Sequence, residues 1–340
     1  MPVRQPVNRP PVMKDVAKVA GVSHQTVSRV INGHPHVSAD ARRRVEAAIR
    51  QLGYRRNTAA RSLVTRRSHT IGVLAAGLSQ YGPSKTLVGI EAAARDAGYF
   101  VSIASLRDIS TQTVTDAIGH FSDQSAEGIV IIVPDPGLLR ALDQIEHDFP
   151  VVVASAASKG LGSASMNQGL GARMAVEHLI HLGHRTIGHV SGPLEWYDAV
   201  QRLEGWKAAM RDAGLAAEYL AEGNWTAQSG YIVGTEYASN RAASAMFIAN
   251  DQMALGFLRA VQESGLTVPG DVSIIGYDDQ PEAAYFFPAL TTVRQDFEEL
   301  GRRCVELLVR QVDPDSEVVQ IVVDPQLVVR SSTDRWSAQG

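Results

Sequence analysis

One cysteine in 340 residues, Cys304, leaves no partner for an internal disulfide. No apolar run approaches the roughly 20 residues that span a bilayer, and the N-terminal MPVRQPVNRPPV lacks the continuous apolar stretch of a secretory signal. These absences predict a soluble cytoplasmic protein with no membrane association. Catalytic and nucleotide signatures are also missing. The GLG of Gly160–Gly162 and of Gly169–Gly171 has no third glycine and no strand-turn-helix setting, and no GxxxxGK followed by Ser or Thr occurs. In GHVSGP, Ser191 is not centred as a nucleophile elbow requires. His178, His181, His184 and His189 have a superficially metal-like spacing, but no third ligand with an acidic outer shell accompanies them. No metal, cofactor or enzyme activity is expected, and Cys304, between Leu300 and Leu307 of an amphipathic helix, is expected to be a packed thiol.

What is present is a sharp asymmetry of charge. The chain carries 32 Lys and Arg against 36 Asp and Glu. Residues 1–68 hold 14 basic and 3 acidic side chains, a net of +11, which leaves −15 on residues 69–340. A basic module on an acidic body is the pattern of a protein whose one end meets a polyanion, with nucleic acid as the leading partner. Hydrophobic residues make up 45% of the chain, so disorder is excluded, and the length suits two or three globular units better than one.

Residues 1–12, with four prolines and two arginines, read as an extended basic arm. From Met13 to residue 56 three short helices fit the text. The first, about Met13 to Ala20, turns Val16 and Ala20 to one face and is broken by Gly21. Ser23 caps the second, whose inner stripe is Val27, Val30 and Ile31. Ser38 caps the third, with Val45, Ala48, Ile49 and Leu52 recurring until Gly53 ends it. Residues 57–68 read as a basic hinge, in which a helix from Asn57 to Val64 is too short to hold without a partner.

From Thr70 the pattern becomes buried-strand runs alternating with amphipathic helices: TIGVLAA, YFVSIAS, GIVIIV, VVVAS, TIGHVSG, AMFIAND and VSIIGYDD. Such runs predict parallel sheets joined by right-handed crossovers, and seven strands are too many for one small sheet. The two halves of the body look alike, and the Ser- and Gly-rich PVVVASAASKGLGSASMNQG reads as a crossing between them. The body spans 69–333, with 334–340 as a tail.

The second helix carries the nucleic-acid reading. With Val27, Val30 and Ile31 inward, His24, Gln25, Ser28 and Arg29 share the opposite face. Gln pairs with adenine and Arg with guanine in a major groove, and His24 can donate to a base edge or a phosphate. A solvated polar face would look the same. The +11 segment and the basic third helix (Arg42, Arg43, Arg44) favour the functional reading. Leu63 fits a wedge between base steps in the minor groove, with Arg61, Arg66 and Arg67 on phosphates, or alternatively a linker leucine packing loosely on the body.

The strings MKDVAKVAGVSHQTVSRVINGHPHVSADARRRVEAAIRQLGY and RRNTAARSLVTRRS resemble the headpiece and hinge helix of the lactose-repressor (LacI/GalR) family. The resemblance continues through VEHLIHLGHRTIGHVSGP, RLEGW, GNWTAQSGY, ANDQMALGFLRAVQESGL, IIGYDD and LTTVRQDFEELG, so it covers nearly all of residues 13–331. It implies an all-α helix-turn-helix headpiece with a hinge helix, then an α/β effector domain of two parallel-sheet lobes like the periplasmic binding proteins. The implied lobes are about 69–166 with 297–324, and about 167–293 with 325–333. The resemblance adds His36, Asn57 and Ala60 to the DNA contacts. It places Arg202, Asn250, Asp278 and Gln295 on the hydroxyls of a sugar, with Trp225 and Phe297 as aromatic walls. Planar amide, carboxylate and guanidinium groups suit adjacent hydroxyls, and aromatic faces suit the C–H side of a pyranose. From the residues alone, Asn250 and Asp278 also fit capping roles and Trp225 fits ordinary core.

Two departures from the family pattern bear on the ligand. The fourth strand, VVVASAAS, lacks the sugar-binding aspartate that follows it in the pattern, and Ile132 stands at an asparagine position. Asp198, four residues before Arg202, replaces a serine and is expected to restore a carboxylate from the other lobe. The C-terminal QLVVRSSTDRWSAQG has no leucine heptad, so a homodimer rather than a tetramer is expected. The function implied is a repressor on near-palindromic operator DNA, released by a sugar or glycoside. The alternative is a purine or other corepressor, and a sugar-binding transport protein is a distant third.

Overall fold

The computed structural model describes residues 11–54, 67–106, 109–132, 149–156, 160–311 and 317–336, together with Leu138, Arg140 and Ile145. The chain divides into two compact units at Ser68/His69. The expected hinge helix at 57–64, and with it Asn57, Ala60, Arg61 and Leu63, lies outside the described residues.

The first unit holds three helices: α1 (Met13–Ala20), α2 (His24–Ile31) and α3 (Ala39–Leu52). Four of their six boundaries have a local cause in a serine cap or a glycine. The Ser23 hydroxyl accepts from the Thr26 amide at 3.1 Å and the Ser38 hydroxyl from the Ala41 amide at 3.2 Å. Gly21 and Gly53 end α1 and α3 in the left-handed region, at φ 61° and 59°, where a Cβ would be strained. Val16, Ala20, Val27, Val30, Val45 and Ala48 form the core. Ile31, Ile49 and Leu52 are only half-buried, because three short helices have too little interior to enclose every apolar side chain.

The second unit is an α/β body with two six-stranded sheets. In chain order the elements of its first half are β1 (Thr70–Ala76), α4 (Tyr81–Asp96), β2 (Phe100–Leu106), α5 (Thr111–Asp123), β3 (Ile129–Ile132), β4 (Val151–Val153) and β5 (Gly162–Met166). The next half runs α6 (Gln168–His181), β6 (Ile187–Ser191), α7 (Tyr197–Asp212), β7 (Leu220–Glu222), α8 (Ala227–Asn240), β8 (Ala245–Ile248), α9 (Asp251–Glu263), β9 (Ser273–Asp278) and β10 (Thr291–Arg294). Then come α10 (Phe297–Gln311), β11 (Gln320–Val323) and β12 (Gln326–Val328). The first sheet runs β2-β1-β3-β4-β5-β11 and the second β7-β6-β8-β9-β10-β12. The wiring is the same in both, and every pairing is parallel except β10 with β12.

Strands buried on both faces need continuous apolar text. Ile71, Val73, Val130, Ile132 and Val152 pack on one side against α4 and α10, while Leu74, Ile129, Ile131, Val151 and Val153 pack on the other against α5. The second sheet repeats this with α8 and α9 on one face and α6 and α7 on the other. Cys304 is one of the core residues of α10, and burial pushes its thiol up to about 12. A Cβ on Gly301 would run into the Gly89 backbone, so α10 and α4 pack backbone against backbone here, and Phe297 at the start of α10 lies beside Tyr81 with ring centroids 5.8 Å apart.

Three features differ from expectation. Twelve strands are present in the described residues where seven were legible: β5, β7 and β10 carry too few large apolar residues to announce themselves, and β11 and β12 are short apolar runs of four and three residues near the end of the chain. The supposed crossing at 150–169 contains β4 and β5, and the chain leaves the first sheet only at Asn167–Gln168. It returns at Gln295–Asp296 and leaves again at Asp324–Pro325, with Asn167 donating to the Asp324 carboxylate at 2.9 Å. Finally, the start of the expected tail is pinned to the body. The Asp334 amide donates to Ser273 Oγ at 3.2 Å, and Trp336 packs on His184.

Candidate functional site

On α2, His24, Gln25 and Arg29 are exposed and lie on the side away from Val27 and Val30. Ser28 on the same side is half-buried and accepts from Asn32 Nδ2 at 3.3 Å. Among the described residues the Arg29 guanidinium has no acidic partner, whereas Arg43 and Arg44 both pair with Asp40. The α2 guanidinium is therefore a cation left without an acidic partner among the described residues, on the same face as His24 and Gln25. His36 is exposed in the loop before α3, its ring 6.2 Å from that of His34.

The second site is a cleft where C-terminal strand ends of the two sheets meet, as open α/β sheets place their ligands. Its empty space, open mouth included, is about 720 Å³. All seven residues singled out from the sequence line it: Asp198, Arg202, Trp225, Asn250, Asp278, Gln295 and Phe297. So do Gln80, Tyr81, Thr86, Ser155, Ser165, Gln168 and Trp196, none of which stood out in the sequence.

Arg202 is the centre of the polar wall. It is buried, and its Nε donates to Gln168 Oε1 at 2.9 Å while Nη1 donates to the Ala249 carbonyl. Its Nη2 lies 3.7 Å from Asp278 Oδ1, which also accepts from Gln295 Nε2 at 2.7 Å. The guanidinium carbon sits 3.8 Å from the centre of the Tyr277 ring and 5.6 Å from that of Trp225, both within cation–π reach. Burial pushes the Asp278 carboxyl up to about 6, against the opposing pull of Arg202 and Gln295. Asp251, fully buried at the start of α9, is raised well above the ordinary carboxylate range, first by burial and then by Asp278.

Asp198 stands in the first turn of α7. Burial raises its proton affinity and Arg202 lowers it, and no protein group among the described residues hydrogen-bonds its carboxylate. Ser155, at the end of the fourth strand where the family's carboxylate is missing, has a buried hydroxyl without a partner among the described residues. Ile132 beside it is buried and apolar. Among the described residues, the charged groups lining the cleft, Asp198, Arg202 and Asp278, come from the second-sheet side.

The capping role open to Asn250 is real: its Oδ1 accepts from the Met253 amide at 2.9 Å, and its Nδ2 donates to the Trp225 carbonyl at 3.0 Å. It lines the cleft as well, so the two roles coexist. Trp225 likewise is both core and wall. It is packed edge-on against Trp196 with centroids 5.7 Å apart, and its buried Nε1 has no partner among the described residues. A Cβ at Gly192 would overlap its ring, so only glycine leaves room for Trp225 to stand where it does.

The histidines have structural partners. His178 meets Thr333 at 3.1 Å, His181 meets the Glu177 carbonyl, and His184 meets the Ser244 and Ser273 hydroxyls at 2.9 and 3.1 Å. His189 is stacked on Phe247, with 4.6 Å between centroids and 12° between planes. No group of three metal-ligating side chains occurs among the described residues, and no described helix is long and apolar enough to cross a membrane.

Comparison with known proteins is consistent along the chain. A family model for a periplasmic binding protein-like domain matches residues 176–333, and one for bacterial regulatory proteins of the lacI family matches residues 12–57. The chain is similar to the lactose operon repressor of Escherichia coli K12, 34% identical over 328 residues covering 96% of this chain and 91% of that protein. It is similar to the HTH-type transcriptional repressor PurR of Proteus mirabilis, 34% identical over 329 residues covering 94% and 96%. A solved Lac repressor dimer bound to operator and the anti-inducer ONPF matches with a TM-score of 0.88 and 33% identity, over 96% of this chain and all of that one.

Proposed function

The chain belongs to the lacI family of bacterial regulatory proteins, and we infer that it is a transcriptional repressor that leaves its operator when a sugar or glycoside enters the cleft. The carrying observation is that a single chain joins an unneutralised Arg29 face to a cleft in which Arg202, Asn250 and Asp278 stand beside Trp225. In this reading His24, Gln25, Ser28 and Arg29 meet base edges, with His36 beside them. Asn57, Ala60, Arg61 and Leu63 act at the central minor groove of a near-palindromic site. Asp198 supplies the hydroxyl-binding carboxylate that the first-sheet wall lacks. The protein works as a homodimer in the cytoplasm, at the nucleoid. In support of the dimer, Val88, Phe100, Ile103, Tyr285 and Phe287 are exposed apolar side chains that a second copy would cover. No catalytic step is assigned to any residue.

Release requires only that the effector bind one arrangement of the two sheets better than the other. A thermal-shift screen of sugars, glycosides and purines, followed by competition of its promoter fragments against bulk genomic DNA, tests the reading. Stabilisation by purines alone would replace the sugar with a corepressor. No promoter preference would remove the DNA role.

A further inference from the structure

Gln168 is almost completely buried at the first residue of α6, immediately after the chain crosses from the first sheet to the second. Its side chain closes a ring. Arg202 Nε donates to Gln168 Oε1 at 2.9 Å, and Gln168 Nε2 donates to Gln295 Oε1 at 2.9 Å. Gln295 Nε2 then donates to Asp278 Oδ1 at 2.7 Å, and Asp278 lies 3.7 Å from Arg202 Nη2. The Gln168 carbonyl also accepts from the Tyr277 hydroxyl at 3.2 Å.

The orientation of both amides is forced. A guanidinium can only donate, so Gln168 must present its oxygen to Arg202 and its NH2 to Gln295. Gln295 must then accept with its oxygen, which leaves its NH2 for a carboxylate that, when ionised, can only accept. Gln168 stands at the first crossing and Gln295 at the second, so two of the three connections between the sheets are tied to Arg202 and Asp278, two of the charged groups that line the cleft.

We propose that Gln168 is a positioning residue that transmits occupation of Arg202 and Asp278 to both crossings, and so sets how strongly the cleft controls the DNA-binding unit. This rests on the repressor reading above. A hydroxyl pair that draws on Arg202 and Asp278 changes the pull on Gln168 and Gln295 together, and a network with one satisfied orientation responds as a unit.

Two substitutions divide the roles. Gln168→Leu removes both bonds. Gln168→Glu keeps an acceptor for Arg202 but forces Gln295 to turn its NH2 toward residue 168, setting its oxygen against Asp278. Two measurements on the full-length protein follow. The first is hydrogen exchange without any sugar, where both variants should exchange about threefold or more faster at the amides of Glu299 and Leu300, beyond the second crossing, as well as at Leu170 and Gly171. The second uses lactose as probe, with tryptophan fluorescence for binding and a promoter fragment for DNA affinity at saturating lactose. Because Gln168 lines the cleft, both variants should bind lactose more weakly, Gln168→Leu by about tenfold, and both should lose most of the lactose effect on DNA affinity when that effect is read at saturation.

A purely structural role would lower stability and leave that saturated ratio at its wild-type value, which would overturn the proposal. Unchanged exchange at Glu299 and Leu300 would overturn it too. If wild type shows no lactose effect, the sugar reading is what fails, and the exchange measurement still decides whether Gln168 ties the crossings.

Discussion

The Arg202 guanidinium carbon lies over the Tyr277 ring, 3.8 Å from its centre, while its N–H groups donate to Gln168 and the Ala249 carbonyl. A lysine has neither the plane nor the fork for both tasks. Arg202→Lys should therefore abolish sugar binding by calorimetry. Arg202→Ala should cost about 3–5 kcal/mol in urea unfolding at pH 8 by leaving Asp278 without its cation, and less at pH 6, where the carboxyl takes up a proton.

Asp278 makes stability rise toward acid over a narrow window. Its folded value of about 6 lies above the ordinary 3.8, so the native state binds the extra proton and this group's contribution declines as pH rises from about 4 to 6. Asp278→Asn should be more stable than wild type at pH 7.5, by up to about 3 kcal/mol, with the advantage gone at pH 4. Urea midpoints of the pair across pH 4–8 check the sign.

His189 acts in the opposite direction. Burial holds it down to about 3 from 6.5, so its stabilising effect is complete above 6.5 and is lost as pH falls toward 3. His189→Phe keeps the stack on Phe247 and should flatten the acid side of the stability profile by about 2 kcal/mol at pH 5, giving up the bond to the Phe247 carbonyl. An unchanged acid slope would contradict the neutral buried imidazole.

Gly192→Ala tests the aromatic wall without touching a polar group. The added Cβ must displace the Trp225 ring, so the response of tryptophan fluorescence to a bound sugar should disappear and the melting temperature fall. Retention of both would mean that Trp225 has room to spare.

For the DNA face, Arg29→Ala should cost about 1–3 kcal/mol on the specific site and little on random duplex. Arg66→Ala, outside the described residues, should weaken both alike and flatten the salt dependence. Equal effects of the two on specific and random DNA would dissolve the distinction.

The sequence displayed the strands that are long and apolar, and the caps Ser23 and Ser38, because these signals are local. It hid β5. The residues of GSASM are small because α10 presses on this strand: a Cβ at Gly162 would strike Gln311. Threonines disguised β10 for a similar reason, since Thr292 is committed to the buried Asp251. The cleft residues Arg202, Asn250 and Asp278 were legible through family resemblance, whereas Gln168 was not. Its partners lie 34 and 127 residues away, and no spacing rule along the chain can reveal such a bond.

The identical wiring of the two sheets has a consequence for how the molecule is made. The core of the first sheet includes Leu300, Cys304, Val305, Leu307, Leu308 and Val323, so the half that emerges first from the ribosome cannot close until almost the last residues have been translated. The middle of the chain, needing only the short β12 to finish its own sheet, is nearly self-sufficient sooner. Nascent chains halted before α10 should thus expose an unfinished apolar face to chaperones while the second half is already resistant to protease.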